Sequence, residues 1–258
     1  MFQYIEIFSF KMGTFPFFVG LGLFSLVLSV YRQIKCKGMC LHDENHIMQA
    51  FPVMVIFGVV CAYITDVLLR GGIKGFYEPT RYGFTFLGWL SGCILFLAVY
   101  SKICKIDFTF LLNLILPNFA VAQAWGRIGC FTGGCCYGIP SRFGFRYPEG
   151  SLAYTQYGNV SIFPVQLLES LWLFFLFLFL LLKIKFPYRA GCYLLLMSFG
   201  RFILEYFRAD DRGDIGGISL FSPSQLIACF WLIFGVVLLY NAQNKERGEV
   251  FYGKSNNE

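Results

Sequence analysis

The stretch Phe163–Leu182, FPVQLLESLWLFFLFLFLLL, holds only three polar residues in twenty: Gln166, Glu169 and Ser170. As a helix it would rise about 30 Å, the thickness of the hydrocarbon core of a bilayer. The apolar run is continuous and shows no period of two, which argues against a membrane barrel strand. Pro164 suits the first turn of such a helix, where backbone N–H groups have no intrahelical acceptor. Six further segments read the same way: Phe15–Tyr31, Ala50–Leu69, Phe84–Tyr100, Phe108–Trp125, Gly191–Phe207 and Pro223–Tyr240. The composition agrees, with 57% hydrophobic, 20% aromatic and 14% charged residues, against about 25% charged in an ordinary soluble domain. The chain is therefore expected to be an all-α integral membrane protein. It would form a single transmembrane domain (1–258) of seven spans, with a Gly-rich outer loop between the fourth and fifth and a cytoplasmic tail over 241–258. Asn113, Pro117, Asn118 and Gln123 interrupt the fourth span. The leader MFQYIEIFSFKMG carries both Glu6 and Lys11 and is followed by no small-residue cleavage site, so the first span reads as a retained helix rather than a secretory signal.

Seven spans sort the loops into two sets. One receives eight lysines: Lys35, Lys37, Lys102, Lys105, Lys183, Lys185, Lys245 and Lys254. The other receives Lys11 and Lys74 but seven arginines: Arg70, Arg81, Arg127, Arg142, Arg146, Arg208 and Arg212. Lysine bias places the first set in the cytoplasm and the N-terminus outside. Outer arginines can simply meet lipid headgroups. Arginine's planar fork also binds phosphate through two parallel hydrogen bonds, which lysine cannot do, so the outer face suits recognition of a lipid phosphate.

Three polar constellations fall on that face. AWGRIGCFTGGCCYG, Ala124–Gly138, joins Arg127 to Gly126, Gly129, Gly133, Gly134 and Gly138. Such glycines can turn successive N–H groups toward an anion, or merely let helices pack closely in a tight turn. The pattern is neither GxGxxG after a strand nor a phosphate loop ending in Gly-Lys-Ser/Thr, so no nucleotide or nucleic-acid partner is implied. In SFGRFILEYFRADDRGD, Ser198–Asp214, the residues Arg201, Glu205 and Arg208 stand at i, i+4 and i+7 and would share one helix face. Charges at mid-span cost at least ~2.5 kcal/mol each, so they face a polar chamber or one another. Asp210, Asp211 and Asp214 then follow in a short outer loop. In the third constellation, FPVQLLES, Gln166 and Glu169 share a face near the outer end of the fifth span, where polar groups could equally meet water.

GRIGCFTGGCCYG, FPVQLLES and GRFILEYFRADD, in this order and within seven spans, together with YGFTFLGWLSG at Tyr82–Gly92, resemble the prolipoprotein diacylglyceryl transferase family. The resemblance runs from about Tyr82 to the end of the seventh span. It implies a membrane-embedded transferase of a bacterial-type plasma membrane. The reaction would move the diacylglyceryl group of phosphatidylglycerol onto the signal-peptide (lipobox) cysteine thiol of a prolipoprotein, releasing glycerol phosphate. On this resemblance Arg127 and Arg201 fall at the family's two critical arginines, and Gly138 at the glycine closing the loop. Gln166, Glu169, Glu205 and Arg208 match further family positions. Gly129, Gly134 and Tyr137 complete the expected substrate-binding set.

The sequence departs from the family pattern where Leu87 and Phe163 replace usual histidines, Cys130 a usual asparagine and Cys135 a usual glutamate. Attack by a thiol with pKa ~8.5 needs a base or a positive field. His42 and His46 lie in an expected cytoplasmic loop, and Glu169, Glu205 and Tyr137 remain open as proton-handling groups. A transporter or lipid-binding protein holding an anionic phosphate, or a transferase with another acceptor, would use the same arginines. Ten cysteines are present. Those in spans read as small hydrophobes, while Cys130, Cys135 and Cys136 on the outer side could pair as a disulfide. Cys36, Cys40, His42 and His46 fit no familiar zinc spacing, and no metal or cofactor is expected.

Overall fold

The computed structural model describes residues 4–7, 10–38, 41–70, 72–77, 84–209 and 222–255. Expectations for Cys40, Arg81, Tyr82, Asp210, Asp211, Arg212 and Asp214 fall outside these residues. A hairpin of β1 (Tyr4–Ile7) and β2 (Phe10–Gly13), with Ile7 opposite Phe10, leads into α1 (Thr14–Cys36). Then follow α2 (Leu41–Arg70), α3 (Phe86–Cys104) and α4 (Phe108–Gly133). A small cap of β3 (Pro140–Arg146), α5 (Leu152–Tyr157) and β4 (Ser161–Ile162) precedes α6 (Val165–Lys183), α7 (Arg189–Leu204) and α8 (Pro223–Ser255). Among the described residues seven helical segments are long and apolar enough to cross a membrane, in the order the sequence predicts. The chain is an all-α multi-pass membrane protein, and among the described residues its short strands fall in two small antiparallel pairs.

The fourth span explains its own irregular sequence. In α4, 72% of the apolar window is buried, against 22% for α1 and α8, because α1, α3, α6 and α7 all pack on it. Polar groups that lipid would exclude find partners there. Ser29 and Gln33 of α1 donate to Asn118 Oδ1 at 2.6 and 3.0 Å, Arg189 donates to Gln33 Oε1 at 3.1 Å, and Asn113 Oδ1 accepts from the Ala190 N–H at 2.8 Å. This polar seam ties α1, α4 and α7 together near the lysine-bearing end. The main packed cluster around this seam is apolar, and exposed Leu, Phe and Val side chains such as Leu171, Phe175 and Val236 form the lipid-facing surface.

Two boundaries differ from expectation. The eighth helix continues past Tyr240 to Ser255, and its apolar window reaches Glu246, because Asn241–Glu246 contains good helix formers and no breaker. The fourth helix runs eight residues beyond Trp125, with consequences for the site. At its other end Asp107 caps it, accepting from the Phe110 N–H at 2.7 Å. The Thr109 hydroxyl bond, with this backbone bond, holds the Asp107 carboxyl below the usual carboxylate range. A depressed folded-state value means the stabilisation is present near neutrality and is lost as pH falls below about 4. We expect Asp107→Ala to cost about 1 kcal/mol at pH 7, read as a lower Tm in detergent, with no difference from the parent at strongly acid pH.

Candidate active site

Glu169 lies one turn into α6 and is 2% exposed. Three guanidinium groups reach its carboxylate from different parts of the chain. Arg127 Nε of α4 stands 3.0 Å from Oε1, Arg201 Nη1 of α7 is 3.2 Å from both oxygens, and Arg208 Nη1 is 3.4 Å from Oε2. Arg201 also lies 3.3 Å, and Arg208 3.9 Å, from Glu205 Oε2. Glu205 Oε1 accepts from the Ser222 hydroxyl at 3.0 Å. Among the described residues three buried cations meet two carboxylates, Glu169 and Glu205. Burying charges is costly, and such a cluster persists only where each charge is paired and hydrogen-bonded. Guanidinium groups converging in this way are the donor type that binds an anion such as phosphate through paired hydrogen bonds.

The expected Gly-rich loop is in large part helix. Residues up to Gly133 continue α4, so Arg127, Gly129 and Cys130 project from a rigid rod rather than a flexible nest. Gly129 serves packing instead: a Cβ there would come within 3.2 Å of the Phe15 ring and Phe18 Cβ on α1, the close helix approach that small residues permit in membranes. The turn begins at Gly134, which caps α4 in the left-handed region at φ 70°.

Arg208 departs from the predicted helix face. After Leu204 the chain tightens into a 3-10 turn over Glu205–Phe207 and then becomes extended at Arg208. There it forms a β-bridge with Gly138. The Ile139 N–H donates to Phe207 O at 3.1 Å and the Ala209 N–H to Tyr137 O at 3.2 Å. The short bridge still delivers Arg208 to Glu169, so helical spacing reached the right residue through the wrong backbone. Gly138 is required at this crossing because a Cβ would meet Phe163 O at 2.5 Å and Phe207 O at 2.8 Å. Gly138→Ala is expected to cost about 1–3 kcal/mol and to lower activity by pushing Arg208 off Glu169, measurable as a joint fall in Tm and turnover.

The remaining expected residues are distributed around this centre. Gln166 is fully buried and holds the turn, donating to Cys135 O at 2.8 Å and to the Tyr147 hydroxyl at 3.0 Å. Tyr137 sits in the small core of the cap with Tyr147, Ala153 and Ile162, edge-on to Tyr157. Sequence reasoning did not single out Tyr147, Ser170 or Ser222. Ser170 ties α6 to α4 by donating to Ala124 O at 2.9 Å, and burial pushes the Tyr147 hydroxyl up to about 12. No spacing signal marks these residues, since each acts through a contact made only in the fold. Leu87 is buried in the main core and Phe163 packs against Phe207.

The described cysteines are all free thiols. Cys130, Cys135 and Cys136 bring their sulfur atoms within 4.8 Å of one another. Hydrogen bonds from Cys130 and Cys135, with Arg208 and Arg127 nearby, hold Cys136 well below the usual thiol range.

Comparison with known proteins bears directly on this arrangement. Residues 3–241 match the family model described as prolipoprotein diacylglyceryl transferase. Phosphatidylglycerol–prolipoprotein diacylglyceryl transferase 2 of Clostridium perfringens (strain 13 / Type A) is 33% identical over 260 residues, covering 95% of this chain and 97% of the relative. Phosphatidylglycerol–prolipoprotein diacylglyceryl transferase of Clostridium tetani (strain Massachusetts / E88) is 29% identical over 243 residues, covering 90% and 93%.

Proposed function

The chain belongs to the prolipoprotein diacylglyceryl transferase family, and on that premise we propose that it moves the diacylglyceryl group of phosphatidylglycerol onto the lipobox cysteine of a prolipoprotein. The observation that supports this most directly is the convergence of Arg127, Arg201 and Arg208 from separate parts of the chain on buried Glu169. In the reaction a thiolate attacks the terminal glycerol carbon, the carbon–oxygen bond to phosphate breaks, and its electron pair stays on the departing glycerol phosphate. Charge grows on phosphate oxygens as the bond breaks. Donors already fixed around that position stabilise the change without reorganising, and in a chamber screened from water they act strongly.

Arg127 and Arg201 are assigned to the leaving phosphate. Arg208 and Glu205 complete the charge frame, and Glu169 orients all three guanidinium groups. The helix face of α4 and the Gly138 bridge set their separation. Gln166, with Gly134 and Tyr137, fixes the turn that follows α4. The lysine-rich end lies in the cytoplasm and the arginine centre in the outer half of a bacterial-type plasma membrane. The N-terminus is then outside and the C-terminus inside, which the excess of lysine supports.

The test uses purified full-length protein in vesicles containing labelled phosphatidylglycerol, with a cysteine-bearing precursor peptide. Transfer should release glycerol phosphate and add the diacylglyceryl mass to the peptide. Lipid retained with no glycerol phosphate released would replace this reading with a lipid-binding or transport protein.

A further inference from the structure

The proposed reaction alkylates a thiol, yet no histidine stands at the arginine-rich end among the described residues, since His46 belongs to the N-terminal part of α2 with Lys35 and Glu44 nearby. The centre does hold three other groups whose chemistry concerns thiols. Cys130 is on α4, one turn from Arg127. Cys135 and Cys136 follow the Gly134 cap, and two residues later Gly138 bridges to Arg208. The three sulfur atoms lie within 4.8 Å of one another. Tetrahedral zinc–sulfur bonds of about 2.3 Å place ligand sulfurs about 3.8 Å apart, so the observed cluster needs a contraction of at most about 1 Å to close around one ion.

The backbone around the cluster is held in place. The Cys135 N–H donates to Cys130 O at 3.1 Å, and Cys135 O accepts from buried Gln166. Cys136 adopts φ 55°, the left-handed region that non-glycine residues rarely occupy. Strained positions of this kind persist where the surroundings over-determine them, often at functional sites. Here the unusual backbone places one of three convergent thiols.

We propose that Cys130, Cys135 and Cys136 bind a zinc ion whose open fourth position takes the acceptor cysteine as a thiolate. Thiolates are the natural ligands of a soft or borderline ion. Three protein ligands with one vacant position is the arrangement of reactive rather than closed structural zinc. The site replaces the expectation of no cofactor drawn from sequence, and it rests on the transferase reading above.

The step balances. Zinc with three thiolates carries one negative charge and a water. The acceptor thiol displaces that water, and its proton leaves to bulk solvent, since a coordinated thiol is deprotonated outright. The bound sulfur then uses an electron pair to form the carbon–sulfur bond as the carbon–oxygen bond to phosphate breaks. Glycerol phosphate takes the oxygen and its electrons. The neutral thioether is a poor ligand and leaves, and water returns to the zinc. With zinc bound, the cluster's single negative charge lies beside the cationic guanidinium groups of Arg127 and Arg208.

Full-length protein purified in detergent and washed with a weak chelator tests this, with its triple serine variant as the reference. Elemental analysis should find about one zinc ion per chain. Replacing zinc by cobalt should give thiolate-to-cobalt charge-transfer bands, which change on adding a cysteine acceptor peptide and not its serine counterpart. A strong chelator should abolish transfer, and zinc should restore it. Cys130→Ser, Cys135→Ser and Cys136→Ser should each lower metal affinity and transfer by about 10- to 100-fold. Zinc no higher than in the triple serine variant, or full transfer by metal-free protein, would overturn the proposal while leaving the transferase reading intact. A cysteine-dependent cobalt spectrum in protein that never releases glycerol phosphate would support the metal site and overturn the transferase reading instead.

Discussion

Glu169→Gln should abolish diacylglyceryl transfer and destabilise the protein by roughly 3–5 kcal/mol, the cost of removing one partner from a buried ion cluster. The substitution keeps size and shape but removes the charge that faces three guanidinium groups at 3.0, 3.2 and 3.4 Å. Glu205 then remains as the one described carboxylate against three cations, and it reaches only Arg201 and Arg208. Arg127 and its neighbours repel one another across a dry site and must separate or admit water. The loss should be partly repaired by an anionic lipid, because a ligand that supplies negative charge to the folded state stabilises it by mass action. Melting in detergent with added phosphatidylglycerol, compared with phosphatidylethanolamine, reads this directly. The Gln variant should gain more from the anionic lipid than the parent does. Equal gains, or unchanged turnover, would show that Glu169 does not organise the arginines.

What the chain discloses before folding is uneven, and the reasons are physical. Spans are legible because lipid imposes one rule on every residue over about 20 positions, and Phe163–Leu182 obeys it almost without exception. Charge inside such a span is equally legible, since Arg201, Glu205 and Glu169 would be expelled unless they met one another. Their meeting is what the fold brings about. Backbone course near Gly and Cys is less legible. Glycines at 126, 129 and 133 allow a loop or a tightly packed helix, and the choice depends on α1, whose Phe15 and Phe18 fill the space beside Gly129. The cap is illegible for a similar reason: β3 and the two-residue β4 pair irregularly, with Pro140 and Phe145 both opposite Ile162, a register that no alternation in the sequence announces. Polar residues of α4 looked like evidence against a span, but a helix surrounded by protein can keep Asn113 and Asn118 that a lipid-facing one could not.

Arg201→Ala should lower turnover by about 100- to 1,000-fold, the effect of deleting one fixed donor from a charge-stabilising site. Arg127→Ala should do the same. Arg201→Lys separates geometry from charge: lysine keeps the charge, but its ammonium presents no planar fork, so it can touch Glu169 or the phosphate but not bridge Glu169 and Glu205 as Arg201 does. The lysine variant should therefore fold nearly as well as the parent, since a buried cation still faces two carboxylates, while its turnover stays within about tenfold of the alanine variant. Lipid binding should fall less than turnover in both variants, because an arginine aimed at growing charge contributes more in the transition state than in the bound ground state. Vesicle assays varying phosphatidylglycerol at fixed peptide give kcat and KM separately, and the loss should appear mainly in kcat. A lysine variant with full kcat would show that charge alone suffices at Arg201. A loss confined to KM would make Arg201 a lipid-binding residue with no share in bond breaking.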